Sequence, residues 1–200
     1  MRFVNQIFPT TICISTDMEF DFDFEKLIEE TEFETTLYGY GSEQSVDTHI
    51  LDNHPELKSI LEEEFLGFKD NVLKMGSTDA KLTTSWLTRT EPDCGSQVHT
   101  HKNSWYSGVL WLTDMPDNCA LQLENPNNDY SPWALNEPEE WESVNTPIWE
   151  VFPEKNKMIL FPSHVRHRIA KNTTGQDRYS LAFNFLPQGT IGYKDGEVYI

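Results

Sequence analysis

The second half of the chain is divided into short apolar segments by turn residues, and this spacing limits the folds open to it. From Lys81 onward, runs rich in Val, Ile, Leu, Trp and Phe are separated by Pro, Asn, Asp and Gly. Short segments at this regular spacing predict antiparallel strands in a sandwich or barrel. The predicted strands are Leu82–Thr90, Gln97–His101, Ser107–Thr113, Ala120–Leu123, Ile148–Phe152, Met158–Phe161, Val165–Ile169, Tyr179–Leu186 and Gly196–Ile200.

The first third of the chain has a different pattern. Thr10–Ser15 is apolar and β-branched, which favours a strand, whereas Phe22–Thr31 has apolar residues at helical spacing. A longer helix is predicted from Pro55 to Leu73, because Pro is favoured in the first helical turn and the apolar residues that follow keep 3-and-4 spacing. The order of elements predicts an α+β fold, mainly β, with the N-terminal helices packed on one sheet.

The length of 200 residues suits one domain. We expect residues 1–80 to form the first strand and the buttressing helices, and residues 81–200 to form the β core. The segment 125–147 is polar and carries several Pro residues and an acidic run. It is interpreted either as a solvated surface loop or as a lid over a site.

Composition excludes several classes of function. The chain has 33 acidic and 15 basic residues and a net charge of −18, which disfavours binding to nucleic acid or to an anionic membrane surface. No apolar stretch is long enough to span a bilayer, and the N-terminus is interpreted as a strand rather than a signal peptide. Three widely spaced cysteines form no CxxC pair and indicate reduced thiols, so we expect a cytoplasmic protein.

The pair His99 and His101 is the sharpest chemical feature. Residues two apart in a strand point to the same side, so both imidazoles would project together into the mouth of the barrel. Two imidazoles presented this way offer half of a site for a divalent metal. An HxH pattern alone is weak evidence for a metal site, however, and a chance pair of histidines explains it equally well.

A second feature is Arg178, which alternates with Ser180 on a strand that is otherwise apolar. A charged group among core residues requires an anion to neutralise it. That anion is either an acidic side chain, easily supplied in this chain, or the carboxylate of a ligand held by Arg178 with the Ser180 hydroxyl as a second donor. Asn184 alternates with Ser180 and would also face inward, to contact a ligand or a buried backbone group.

Taken together, these segments resemble the Fe(II)- and 2-oxoglutarate-dependent oxygenases, and more closely a set of such oxygenases from bacteria and their viruses. The resemblance covers nearly the whole chain, and the order and spacing of its parts are more specific than any one of them. The matching segments are Phe8-Pro9-Thr10, Gln44-Ser45, His99-Thr100-His101, Ser107-Gly108-Val109-Leu110-Trp111-Leu112, Phe161-Pro162-Ser163 with His167, and Arg178-Tyr179-Ser180-Leu181-Ala182-Phe183-Asn184.

The resemblance implies a double-stranded β-helix, a jelly-roll or cupin-like barrel, with Fe(II) at its open end. His99 corresponds to the first metal ligand and His167 to the distal one. Arg178 and Ser180 correspond to the pair that binds the far carboxylate of 2-oxoglutarate, and Asn184 and Tyr106 are further candidates for contact with it.

The chain departs from the wider superfamily at His101, where an acid is usual. Either His101 is the third ligand of a three-histidine site, which we favour, or an acid such as Glu124 or Asp114 completes the triad. With the catalytic set His99, His101 and His167, the predicted function is a hydroxylase that couples decarboxylation of 2-oxoglutarate to C–H oxidation.

Two other functions remain open from the sequence. One is a cupin-like three-histidine metal enzyme that does not use 2-oxoglutarate, and the other is a non-catalytic barrel that binds a small ligand. The expected partner is a small-molecule or peptide substrate, with no nucleic acid and no membrane, and a homodimer is left open.

Overall fold

The computed structural model of the protein describes residues 3, 8–36, 39–127 and 137–200. Trp133 and residues 128–136 of the predicted lid lie outside the described residues, as do Leu37 and Tyr38. Helix α1 spans Phe24–Glu30 and helix α2 spans Pro55–Asn71, and short 3-10 helices occupy Ile50–Asn53 and Lys194–Gly196. The strands are β1 (Cys13–Ser15), β2 (Phe33–Thr35), β3 (Gly39–Tyr40), β4 (Glu43–Ser45), β5 (Asp79–Thr90), β6 (Gly95–Ser96), β7 (Tyr106–Trp111), β8 (Leu121–Glu124), β9 (Ile148–Val151), β10 (Met158–Pro162), β11 (His167–Ile169), β12 (Arg178–Gln188), β13 (Thr190–Ile191) and β14 (Val198–Tyr199).

Two antiparallel sheets form the body of the protein. The larger sheet has the order β1-β10-β7-β12-β5-β4-β2, and the smaller one has the order β11-β8-β9. Strands β12 and β5 pair along almost their whole length, from Arg178 opposite Thr90 to Gln188 opposite Asp79, with a register shift after Asn184. This long pairing places residues from distant parts of the chain in fixed rows across the sheet.

Helix α2 covers one face of the large sheet. Pro55 begins the helix, and Leu57, Leu61 and Phe65 are buried against the sheet. The ring of Phe65 stacks on that of Phe185 with centroids 4.0 Å apart. Burial of such side chains contributes roughly 1.5–3 kcal/mol each. Of the two apolar cores among the described residues, the one on this face is the larger.

The opposite face of the large sheet packs on the small sheet. Alternation along β7 and β10 directs Val109, Trp111 and Phe161 into this second core, where they meet Leu121 and Leu123 of β8. The two layers leave a cavity beside this core, and the cavity contains the histidines described below. None of the described helices has the length and apolarity needed to span a membrane.

Most of the predicted elements are confirmed, with differences of three kinds: a predicted strand that does not form, short strands that were not predicted, and shorter bounds. Gln97–His101 forms no named strand, although His99 makes a bridge to His167. Strands β2, β3 and β4 occupy a region where no strand was predicted, because they are short and partly exposed and carry few apolar residues. The α+β, mainly β composition is confirmed, and both predicted helices form with slightly shorter bounds.

Gly108 lies on β7 at a position where the packing leaves no room for a side chain. A Cβ atom at Gly108 would collide with the ring of Phe183 on the neighbouring strand. We expect Gly108→Ala to destabilise the protein by roughly 1–3 kcal/mol, because a well-packed core accommodates an added methyl group only by distortion. Urea unfolding measures the difference. Gly175→Ala is the matched control, since a Cβ atom there meets no atom of the described chain within 4 Å, and an equal loss in both variants would contradict this packing.

Candidate metal centre

Three histidines converge where two distant segments of the chain run side by side. His99 and His167 exchange backbone hydrogen bonds of 2.9 and 3.0 Å, and the backbone N–H of His101 donates to the carbonyl of Ser163 at 3.0 Å. These contacts bring one ring nitrogen each from His99, His101 and His167 within 4.8 Å of one another. The sequence prediction that His99 and His101 face the same side therefore agrees with their geometry.

Backbone carbonyls orient two of the rings. Nδ1 of His167 lies 2.8 Å from the carbonyl oxygen of Val165, and Nδ1 of His99 lies 2.8 Å from that of Gln97. A carbonyl only accepts, so in the neutral rings of His99 and His167 each Nδ1 carries the proton and each Nε2 is the unprotonated nitrogen. Nε2 of His167 lies 3.1 Å from Nε2 of His101. Carbonyl contacts of this kind fix the tautomer that metal-binding histidines require.

Burial keeps the three imidazoles neutral. It lowers the pKa of His167 to about 3 and the pKa of His101 to about 4, and it also lowers the pKa of His99. Repulsion from the positive charge that a neighbouring ring would carry is a second, smaller cause of the lowered pKa of His101 and His167. Neutral imidazoles in one cluster are a donor set suited to iron, nickel, copper or zinc.

The acids considered as alternative ligands are held elsewhere. Glu124 forms an ion pair with Arg166, with 3.1 Å between Oε2 and Nε, and Oδ1 of Asp114 accepts a hydrogen bond from the backbone N–H of Lys155 at 2.6 Å. Within the described ranges, the ligand-capable cluster contains the three histidines and no carboxylate. The geometry thus favours His101 over Glu124 or Asp114 as the third member.

Arg178 lies in the same cavity as the histidines. It is fully buried, and Nη1 donates to Ser180 Oγ at 3.2 Å. Among the residues that the structure describes, Nε and Nη2 have no hydrogen-bond partner, and no acidic group forms an ion pair with Arg178. Burial lowers the pKa of Arg178, the direction expected for a cation without a counter-charge.

An unpaired buried guanidinium destabilises a folded protein unless an anion binds to it. Three neutral imidazoles, together with two guanidinium nitrogens that have no partner in the described chain, line one cavity and fit a divalent metal and an elongated carboxylate ligand. The cavity has a volume of about 400 Å³. The internal salt bridge considered for Arg178 is not formed within the described part of the chain.

Tyr106 and Asn184 have different surroundings from those expected. Tyr106 lies on the face of β7 opposite to the cavity, where its ring contacts Phe65 and Phe68, so its position does not support a cofactor contact. Asn184 faces inward, but its amide is engaged by protein: Ser107 Oγ donates to Oδ1 at 2.7 Å, and Nδ2 donates to Thr84 Oγ1 at 2.9 Å.

The Asn184 network joins strands β12, β7 and β5 to the turn that carries Ser163, because Ser107 Oγ also lies 2.9 Å from Ser163 Oγ. We expect Asn184→Ala to destabilise the protein by roughly 1–3 kcal/mol, since it removes two hydrogen bonds of the buried amide, from Ser107 and to Thr84. Thermal unfolding measures this loss, and Gln188→Ala, at the exposed end of β12, is the control. Unchanged stability together with much weaker 2-oxoglutarate binding would instead support the predicted cofactor contact.

Several polar residues of the cavity were not found from the sequence. Ser42 directly precedes β4 and Gln44 lies on it, and Trp86 and Thr88 lie on β5. Gln44-Ser45 is one of the segments that resemble the oxygenase family, but the resemblance implies no role for it. Gln44 and Thr88 face the cavity because β4 pairs with β5, and the sequence pattern does not predict β4.

Comparison with known proteins assigns the family. Residues 84–184, half of the chain, match the family model described as "Putative 2OG-Fe(II) oxygenase". The chain belongs to this oxygenase family. The match includes the three histidines, Arg178 and Ser180, and Fe(II) and 2-oxoglutarate are the cofactors of the oxygenase. The donor groups described above fit both of them.

Solved structures share the fold of the oxygenase at low sequence identity. HygX from Streptomyces hygroscopicus, with nickel, 2-oxoglutarate and hygromycin B bound, has a TM-score of 0.62 and 12% identity, over 96% of this chain and 92% of HygX. A prolyl-4-hydroxylase from Pseudomonas putida has a TM-score of 0.54 and 16% identity, over 83% of this chain and 82% of its own. The carbocyclase SnoK from nogalamycin biosynthesis has a TM-score of 0.60 and 15% identity, over 86% and 76% of the two chains. A search of curated protein sequences found no match.

Proposed function

We propose that the oxygenase binds Fe(II) through His99, His101 and His167 and binds 2-oxoglutarate between this metal and Arg178. The observation that carries the proposal is the fully buried Arg178, whose Nε and Nη2 lack partners in the described chain, in the same cavity as three imidazoles. A dicarboxylate accounts for both features, because one end chelates the metal and the other neutralises the guanidinium.

With both cofactors bound, the site reduces dioxygen while 2-oxoglutarate is converted to succinate and CO₂, and one oxygen atom enters a C–H bond of the substrate. The residues supply orientation and charge. Nδ1 of His99 and of His167 donates to a backbone carbonyl, which holds each Nε2 towards the cluster. Arg178 and Ser180 fix the far carboxylate and so determine which way the cosubstrate points.

The apolar wall of the cavity limits the access of water. Leu121 and Phe161, which are nearly fully buried, line it from the small sheet and from β10. Exclusion of water strengthens the pairing of Arg178 with a carboxylate and protects a reactive centre from side reactions.

We further propose that the two facing sheets form a double-stranded β-helix of a single domain. The antiparallel pairing of all strands in both sheets and the core between them support this jelly-roll arrangement. We propose that the substrate is a small molecule or a peptide and that the protein does not act on nucleic acid. Both a monomer and a homodimer are compatible with this proposal. We also propose a cytoplasmic location, because the three cysteines are free thiols.

One feature favours an alternative function. His101 stands where most relatives of this superfamily would use an acid, and three-histidine sites also suit metal enzymes that do not use 2-oxoglutarate. In such an enzyme, or in a non-catalytic barrel, Arg178 would have no cosubstrate to neutralise it.

The test is release of CO₂ from 2-oxoglutarate labelled at C1, with Fe(II), ascorbate and oxygen, accompanied by anaerobic calorimetry with Mn(II). We expect binding of 2-oxoglutarate that depends on the metal, and slow release of CO₂ even without substrate. Binding of Mn(II) without any binding of 2-oxoglutarate would support the alternative metal enzyme, and binding of neither would support the non-catalytic barrel.

A further inference from the structure

The cavity wall formed by β4, β5 and β12 presents side chains in rows, because the three strands are in register. Gln44 lies opposite Thr88, and Thr88 lies opposite Ser180. In the next row Trp86 lies opposite Ala182. Ser180 belongs to the Arg178 end of the cavity. Thr88 lies beside Ser180, Gln44 lies one strand further across the sheet, and Trp86 lies one row further along β5, so the three side chains continue the wall beyond the 2-oxoglutarate clamp.

Two of these side chains have unused hydrogen-bonding groups. The Gln44 amide and the Thr88 hydroxyl line the cavity and are half-buried, and neither side chain hydrogen-bonds to any residue that the structure describes. An amide offers two donors and an acceptor, and a hydroxyl both donates and accepts. A ligand with several hydroxyl groups matches this mixture, since each of its hydroxyls can also donate and accept.

Trp86 supplies an apolar surface beside the metal centre. Its ring centroid lies 5.6 Å from that of His101, with an angle of 35° between the planes, and the indole is half-buried in the cavity wall. A molecule resting on this indole would lie next to a proposed iron ligand. Flat aromatic surfaces bind the C–H faces of ring-shaped ligands while polar groups around them fix the orientation.

The cavity lining is also unusual in charge. The chain carries 33 acidic residues, but the described residues that line this cavity include no Asp, Glu or Lys. Among these described lining residues Arg178 alone carries a permanent charge, and the proposed function assigns it to 2-oxoglutarate. A charged substrate would therefore lose its hydration without gaining an ion pair, and an anion would also be repelled by the net charge of −18.

We propose that Gln44, Thr88 and Trp86 form the substrate subsite and that the substrate is an uncharged, hydroxyl-rich ring, a neutral sugar or glycoside. This inference rests on the proposed function, which places 2-oxoglutarate at Arg178. The cavity volume of about 400 Å³ is near the lower end for small-molecule sites, which suits the cosubstrate and a small ring better than a polymer.

The experiment is saturation-transfer NMR on the protein loaded with Zn(II), which is redox-inert, and 2-oxoglutarate. The probes are the methyl glycosides of glucose, galactose, mannose and xylose, with glucosamine and glucuronate as charged counterparts. We expect transfer to at least one neutral glycoside and clearly less transfer to the charged sugars. Trp86→Ala should weaken glycoside binding about 10-fold, and Trp86→Phe should restore most of it.

Trp141→Ala is the control, because Trp141 is exposed and lies outside the cavity lining. It should leave glycoside binding unchanged, and calorimetry should show 2-oxoglutarate binding in every variant. If 2-oxoglutarate binds but no glycoside gives transfer, or if a neutral peptide or a charged sugar binds instead, the substrate inference is wrong and the proposed function stands. Absence of 2-oxoglutarate binding in calorimetry as well would overturn both.

Discussion

Replacing Arg178 by Met is expected to weaken the binding of 2-oxoglutarate by about 100-fold or more, because it removes the cation that pairs with a buried carboxylate. The stability of the free protein should change in the opposite direction. Arg178 is fully buried, and two of its three guanidinium nitrogens lack partners in the described chain, so an apolar side chain of similar length should raise the unfolding temperature. Anaerobic calorimetry and thermal unfolding measure the two effects.

Arg166→Met is the matched control, because Arg166 is exposed and its partner is Glu124. It should leave 2-oxoglutarate binding unchanged. A structural role for Arg178 predicts the reverse pattern, with lower stability in Arg178→Met and a cosubstrate affinity equal to that of the wild type.

The second large effect is expected at His167. His167→Ala should lower the affinity for Fe(II) or Mn(II) by more than about 100-fold, since loss even of a group that merely orients a ligand costs 10–100-fold. His164→Ala is the control, because His164 is exposed and lies outside the cluster. Metal titration by calorimetry gives the comparison, and circular dichroism checks that each variant is folded. Equal affinities in the two variants would remove His167 from the site.

His101 decides between a three-histidine site and a site completed by an acid. We expect His101→Ala to lower metal affinity as strongly as His167→Ala, and His101→Asp to retain metal binding because a carboxylate is also a ligand for Fe(II). If His101→Ala kept full metal affinity, another side chain would be the third ligand, and Glu124 and Asp114 would be the candidates.

Much of this centre could be predicted from local sequence patterns. The two-residue spacing of His99 and His101 and the alternation of Arg178 with Ser180 are properties of extended chain, and they remain valid whichever strands pair. His167 could be connected with them only through the family resemblance, because its bridge to His99 spans 68 positions.

The sequence was least informative where the position of a side chain depends on strand pairing or on which face of a strand it occupies. Tyr106 is adjacent in sequence to Ser107, but neighbouring residues of a strand face opposite sides, which directs Tyr106 to α2. Gln44 and Thr88 were missed because β4 is three residues long and mostly polar, so hydrophobic periodicity does not identify it. Its role depends on its register with β5, a tertiary property.

A crystal structure of the protein grown anaerobically with Mn(II) and 2-oxoglutarate tests the central claim most directly. We expect one metal ion bound by Nε2 of His99, His101 and His167, with the far carboxylate of 2-oxoglutarate on Nε and Nη2 of Arg178. A metal held by other side chains, or a cosubstrate whose carboxylates leave Arg178 without a partner, would contradict it.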